Sequence, residues 1–160
     1  MTLQQKLLAK QSKKGFTLVE LVVVIAILGI LAAIAIPAVI GIINSAHQSQ
    51  QKTDAASLSN ACKDMYAEVV SGTLNSSSPK AINGLPAANA PASTKKTTAL
   101  GLTVQHAINY AGLEQLEGKV GDFVYDTATG TIYGKDDEGK PSSASSTVTL
   151  GTTMQDLGYK

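Results

Sequence analysis

The pattern of apolar and polar positions divides the chain near residue 44. From Phe16 to Ile43 the residues are almost uniformly aliphatic, with Glu20 the one ionisable side chain, and from Leu21 to Ile43 there is none. These 23 residues, at about 1.5 Å each, make a helix of roughly 34 Å, enough to cross a bilayer core with slight tilt. After Ile43 the chain turns polar through Asn44, Ser45, His47, Gln48, Ser49, Gln50, Gln51 and Lys52 without a strong breaker, so the helix is expected to continue. Ala55, Leu58, Cys62, Met65, Tyr66 and Val69 then recur at steps of three and four, an apolar stripe running to about Val70 with Gly72 as its stop. One long helix is predicted, with residues 16–43 in the membrane and 44–71 entering a soluble head.

The head, residues 72–160, reads differently. Residues 73–98 are rich in Asn, Ser, Ala and Thr, and Pro79, Pro86 and Pro91 interrupt regular structure, so a surface loop is expected over about 72–102. Val104, Ala107, Ile108 and Ala111 suggest a short helix over 103–111, followed by Leu113 and Leu116 packing inward. Residues 120–125 and 131–133 are β-prone and joined by Asp126-Thr127-Ala128-Thr129-Gly130, which predicts a hairpin. The run Asp136-Asp137-Glu138-Gly139-Lys140-Pro141 makes a second turn and 146–150 a third strand. The predicted class is α+β: a long helix covered by a small antiparallel sheet spanning about 120–150.

Composition narrows the function classes. With 160 residues the chain holds one modest domain, and its 13 basic residues are all Lys. No Arg, no Trp and few aromatic residues argue against a dedicated nucleic-acid surface. A single Cys excludes an intrachain disulfide and a Cys-based zinc cage, and His47 and His106 have no nearby cluster of ligand types, so no metal or cofactor is expected. Cys62 lies on the apolar stripe and reads as a small buried hydrophobe rather than a nucleophile.

The first fifteen residues carry Lys6, Lys10, Lys13 and Lys14 and no acid, a leader whose charge should stay cytoplasmic. Without it the chain would hold nine Lys against 12 acids, about −3. A conventional secretory signal fits poorly, because its apolar region is only about 7 to 15 residues long and ends at a small-x-small site. A plain single-pass anchor explains the length but not the acid five residues past Gly15.

The run Lys13-Lys14-Gly15-Phe16-Thr17-Leu18-Val19-Glu20 followed by a long apolar helix resembles the class III signal of type IV pilins and their pseudopilin relatives. The resemblance covers about residues 13–45 and is loose beyond. It implies cleavage between Gly15 and Phe16 by a membrane-embedded prepilin peptidase, and methylation of the new Phe16 amine. It implies a substrate of that enzyme rather than a catalyst. Its partners would be copies of itself, the assembly platform protein with its ATPase machinery, and membrane lipid before assembly. Pro37 and Gly29 fall where many pilins carry the same residue types. The lone Cys leaves no carboxy-terminal disulfide loop, as in the Gram-positive or pseudopilin branch.

The physics of the same residues leaves several readings open. Glu20 near the helix start favours the positive end of the helix dipole. In the sharper reading it pairs, once helices are bundled, with the Phe16 amine of a neighbouring subunit, setting register more than stability. Gly29, Ala33, Pro37, Gly41 and Ser45 recur every fourth residue, a ridge of small side chains suited to close helix packing, though such residues are also common in ordinary transmembrane helices. Pro37 removes the amide that would bond to the Ala33 carbonyl, and Gly29 weakens the helix further, so a kink or a melted segment between them is expected.

Asn75-Ser76-Ser77 matches a glycosylation sequon. Asp136, Asp137 and Glu138 lack the alternating spacing of a calcium loop, and Asp126 with its threonines lacks the basic partner a phosphorylated aspartate needs. No catalytic constellation is visible. The expectation is a subunit of a type IV pilus, first in the cytoplasmic membrane and then in a surface fibre serving adhesion, motility or DNA uptake. The alternatives are a pseudopilin of a secretion or competence system and a single-pass membrane-anchored binding or enzymatic domain.

Overall fold

The computed structural model describes residues 15–79, 82–143 and 146–160. The Lys-rich leader expected over the first fifteen residues lies, except for Gly15, outside the described residues. The chain divides into two units, Met1–Asn44 and Ser45–Lys160. Helix α1 (Leu18–Ser71) contributes to both, and its assignment runs through Gly29 and Pro37 without a break. In the single chain the stretch between Gly29 and Pro37 is helical, although Pro37 has no amide to give to the turn before it; melting is the expectation for the fibre.

In the first unit α1 is exposed throughout, and it is long and apolar enough to cross a membrane. In the second unit the stripe predicted from spacing is the buried face: Ala55, Leu58, Cys62, Met65 and Val69 are all buried, and Tyr66 is half-buried at its edge. Gly72, at φ +87°, ends the helix, its amide donating to the Glu68 carbonyl at 3.0 Å. The Asn75 side-chain amide donates to the Gly72 carbonyl at 3.0 Å and its oxygen accepts from the Ser77 amide at 2.9 Å. The sequon asparagine thus closes the turn after α1.

The expected loop over 72–102 ends early. Helix α2 (Ala92–Gly101) occupies its last part, with Pro91 just before the first turn. Proline is tolerated at a helix start, where no amide partner is lost, so Pro91 begins a helix instead of blocking one. Helix α3 (Val104–Ala111) matches the short helix predicted from its apolar spacing; Thr103 and His106 form its capping box and Gly112, at φ +68°, ends it.

The first strand begins later than predicted. Residues Glu114–Asp122 form a 3-10 helix that buries Leu116 and leaves Leu113 half-buried, and Val120 belongs to it. Gly118 and Gly121 within that run weaken the extended reading of Val120. Strand β1 (Phe123–Asp126) pairs antiparallel with β2 (Thr131–Gly134) in the predicted hairpin, register Val124 to Tyr133 and Asp126 to Thr131. Strand β3 is only Ser146–Thr147, shorter than the expected 146–150, and pairs with the other edge of β1, so the order is β2-β1-β3. After it Val148 is fully buried, its amide donating to the Phe123 carbonyl at 3.0 Å, and the chain turns at Thr149 and Thr152. The final segment, for which the pattern predicts no element, buries Met154 and Leu157 completely.

One core results. The α1 stripe meets Phe123 and Ile132 of the sheet, Val104 and Ile108 of α3, Leu116, Val148, Met154 and Leu157. Each such side chain contributes about 1.5–3 kcal/mol on leaving water, so the aliphatic spacing of residues 55–69 suffices to seat the sheet.

Candidate functional site

Gly15 and Phe16 lie in an irregular stretch just ahead of α1, and Phe16 is 89% exposed. Among the described residues, and apart from its own chain neighbours, no atom lies within 4 Å of where a side chain on Gly15 would begin. The Gly15–Phe16 peptide bond therefore sits outside the helix, ahead of its hydrogen-bond ladder.

Thr17 is the residue before the first helical turn and Glu20 the third within it. The Glu20 carboxylate accepts from the Thr17 amide and from the Thr17 hydroxyl, both at 2.8 Å, while the Glu20 amide donates to the Thr17 hydroxyl oxygen at 3.2 Å. This reciprocal cap satisfies donors that a helix start leaves open. It holds the one acid of the apolar segment beside the amide that follows Phe16. Sequence reasoning treated Glu20 through the helix dipole and a neighbour's amine and passed over Thr17. The Thr-x-x-Glu spacing before an apolar run was the available signal.

Along the helix every large apolar side chain from Leu18 to Ile43 is at least 48% exposed. Gly29, Ala33, Pro37, Gly41 and Ser45 are all exposed, and Cβ positions at Gly29 and Gly41 would meet nothing within 4 Å. A backbone so bare on one side admits close approach of another helix. An apolar surface of this extent is stable only in lipid or against other apolar helices.

The remaining head candidates are structural. Cys62 is fully buried, and burial pushes its thiol up to about 12, far from thiolate chemistry. Asp126 accepts from the Ala128 amide and the Thr129 hydroxyl, both at 3.0 Å, and caps the β1–β2 turn. The Ala128 bond first, with the Thr129 and Ser143 hydroxyls, holds its carboxyl below the usual range against a smaller cost of burial. Asp137 pairs with Lys52 at 3.2 Å and accepts from the Gly139 amide at 2.9 Å. Burial opposes its charge, but the Gly139 amide and Lys52 outweigh it, and its carboxyl is also lowered. His47 and His106 stand apart, and among the described residues no group of three or more metal-ligand side chains converges.

Residues 10–36 match the family profile described as the prokaryotic N-terminal methylation motif, the class III signal shared by type IV pilins and pseudopilins. The match covers Gly15, Phe16, Thr17, Glu20, Gly29 and Ala33 and stops one residue before Pro37. No curated protein and no solved structure matches the chain.

Proposed function

We propose that a chain with the N-terminal methylation signal on a bare apolar helix is the structural subunit of a type IV pilus. Prepilin peptidase cuts between Gly15 and Phe16 on the cytoplasmic side and methylates the Phe16 amine. The subunit waits as a single-pass protein of the cytoplasmic membrane and then joins a surface filament of identical copies, with the assembly platform and its ATPase driving extraction. Its activity is assembly rather than catalysis. The single Cys supports a subunit of the Gram-positive type, and is equally compatible with a pseudopilin.

The observation that carries this reading is the pairing of a matched signal with an apolar helix whose large side chains from Leu18 to Ile43 are all exposed among the described residues. A carboxylate at mid-membrane costs about 2.5–3.5 kcal/mol, less near the interface, and needs a partner. In the single chain Thr17 supplies two hydrogen bonds to Glu20. Cleavage adds a cationic amine at Phe16, and in a bundle the Glu20 of one subunit pairs with the Phe16 amine of the next, fixing the stagger of adjacent helices. The uncut leader, with its four lysines, cannot enter an apolar fibre core, so cleavage precedes assembly.

The test is Glu20→Ala in the native host. Trimmed subunit should accumulate in the membrane while electron microscopy of sheared surface material shows filaments severely reduced. Ordinary filaments at ordinary abundance would overturn the docking step, and stubs in the wild type would point to a pseudopilus.

A further inference from the structure

The head holds a concavity that takes no part in the assembly helix. It is a solvent-open depression of about 640 Å³, lined among the described residues by Ile82, Asn83, His106, Asn109, Tyr110 and the Ala111-Gly112 end of α3. His106, Asn109 and Tyr110 are the third, sixth and seventh residues of α3, steps of three and four that put them on one face. Asn83 comes from the turn it forms with Gly84, whose φ of +88° makes that turn possible.

The His106 ring is braced from outside the concavity. The Nδ1 of His106 accepts from the Thr103 amide at 3.2 Å and lies 2.8 Å from the Thr103 hydroxyl. In a neutral imidazole an accepting Nδ1 leaves Nε2–H as a donor. Burial first, and then the neighbouring acids Glu68 and Asp64, push the Tyr110 phenol up to about 12. The Asn109 side-chain oxygen accepts from Gln105 at 3.0 Å, which turns its NH₂ donors to other partners. The Asn83 amide is exposed.

We propose that this concavity binds a neutral sugar ring. Among the described lining residues none is charged, so a phosphate or carboxylate ligand would find no counter-ion. An apolar ligand would find Ile82, Ala111 and the Tyr110 ring in a wall that is otherwise polar. A pyranose presents both surfaces needed: a rim of hydroxyls for planar amide and imidazole donors, and a C–H face for the Tyr110 ring. The volume is that of a small-ligand site. This site is independent of the filament reading and stands whether or not the chain polymerises.

The test uses the full chain, ¹⁵N-labelled, in phosphocholine micelles, because sugar-headed detergents would compete. N-acetylglucosamine, galactose, glucose and mannose are titrated singly to about 20 mM, given a single-ring site with Kd on the order of 1–10 mM. At least one should give saturable amide shifts clustered at Asn83, His106, Asn109 and Tyr110. Asn109→Ala, at an exposed position, should weaken binding about fivefold to tenfold while leaving the rest of the spectrum in place, and Asn83→Ala should do the same. No saturable shift with any of the four sugars, shifts centred elsewhere, or unchanged binding by both variants would overturn the proposal. Filament yield of the same variants should stay normal, so this result and the assembly result are read separately.

Discussion

Gly158→Ala should open the carboxy-terminal end of the head. Gly158 lies at φ +89°, and a Cβ there would stand 2.8 Å from the Thr127 carbonyl carbon and closer still to its oxygen. The residues around it are committed: Leu157 is fully buried, and the Tyr159 ring sits 4.9 Å from that of Tyr66. The Tyr66 hydroxyl donates to the Lys160 carbonyl at 2.7 Å. Left-handed backbone costs an alanine about 1–2 kcal/mol. Pushing the β1–β2 turn aside costs about another 1–3 kcal/mol. Together they make about 2–5 kcal/mol, a large share of the roughly 5–15 kcal/mol that holds a domain folded. At about 3–6 °C per kcal/mol for a head of this size, the melting midpoint should fall by roughly 6 °C or more. Near-ultraviolet circular dichroism of the full chain in detergent reads this, since the chain has five Tyr and no Trp. Gly121→Ala is the control, with no neighbour within 4 Å and no positive φ. A Gly158→Ala protein within about 0.5 kcal/mol of wild type would refute the reasoning, because ordinary surface changes stay inside that range.

Three further outcomes are expected. Ala33→Leu thickens the small-residue ridge and should reduce filament yield while membrane insertion, followed by fractionation, is unchanged; equal loss of both would count against a packing seam. Asp126, Asp137 and Asp156 all have folded carboxyls below their ordinary values, so their stabilisation is complete above the unfolded pKa, near 4, and is lost as pH falls through the lowered folded values. The melting midpoint should therefore drop between about pH 4 and 2, and Asp126→Asn should flatten that limb; a midpoint insensitive to acid would contradict it. Cys62 should resist a thiol reagent in the native chain and react at once in denaturant, whereas rapid native labelling would mean the α1 stripe is not sealed.

Much of this was legible in the sequence because two periods dominate it. The apolar run to Ile43 and the three- and four-residue steps from Ala55 to Val69 leave little choice about α1 or its buried face. The hairpin was equally plain, since Gly130 supplies the positive φ its turn needs. Helix α2 was hidden by proline-rich composition, because Pro91 marks a start as readily as a block. The displaced start of β1 was hidden by Val120, a good strand former taken into a glycine-containing 3-10 turn. The carboxy-terminal segment depends on contacts between Gly158 and Thr127, 31 positions apart, which no local pattern encodes. At the amino terminus the acid stood out as a break in apolar sequence, and the threonine that holds it did not, because threonine breaks no pattern.

The assembly account rests on the leader being removed at one bond. Intact-mass and amino-terminal peptide mass spectrometry of the protein from its native host measures this directly. The account predicts a chain that begins at N-methylated Phe16, in both the membrane pool and sheared filaments. A chain that retains Met1, or one cut near Ala46 beyond the apolar helix, would contradict it.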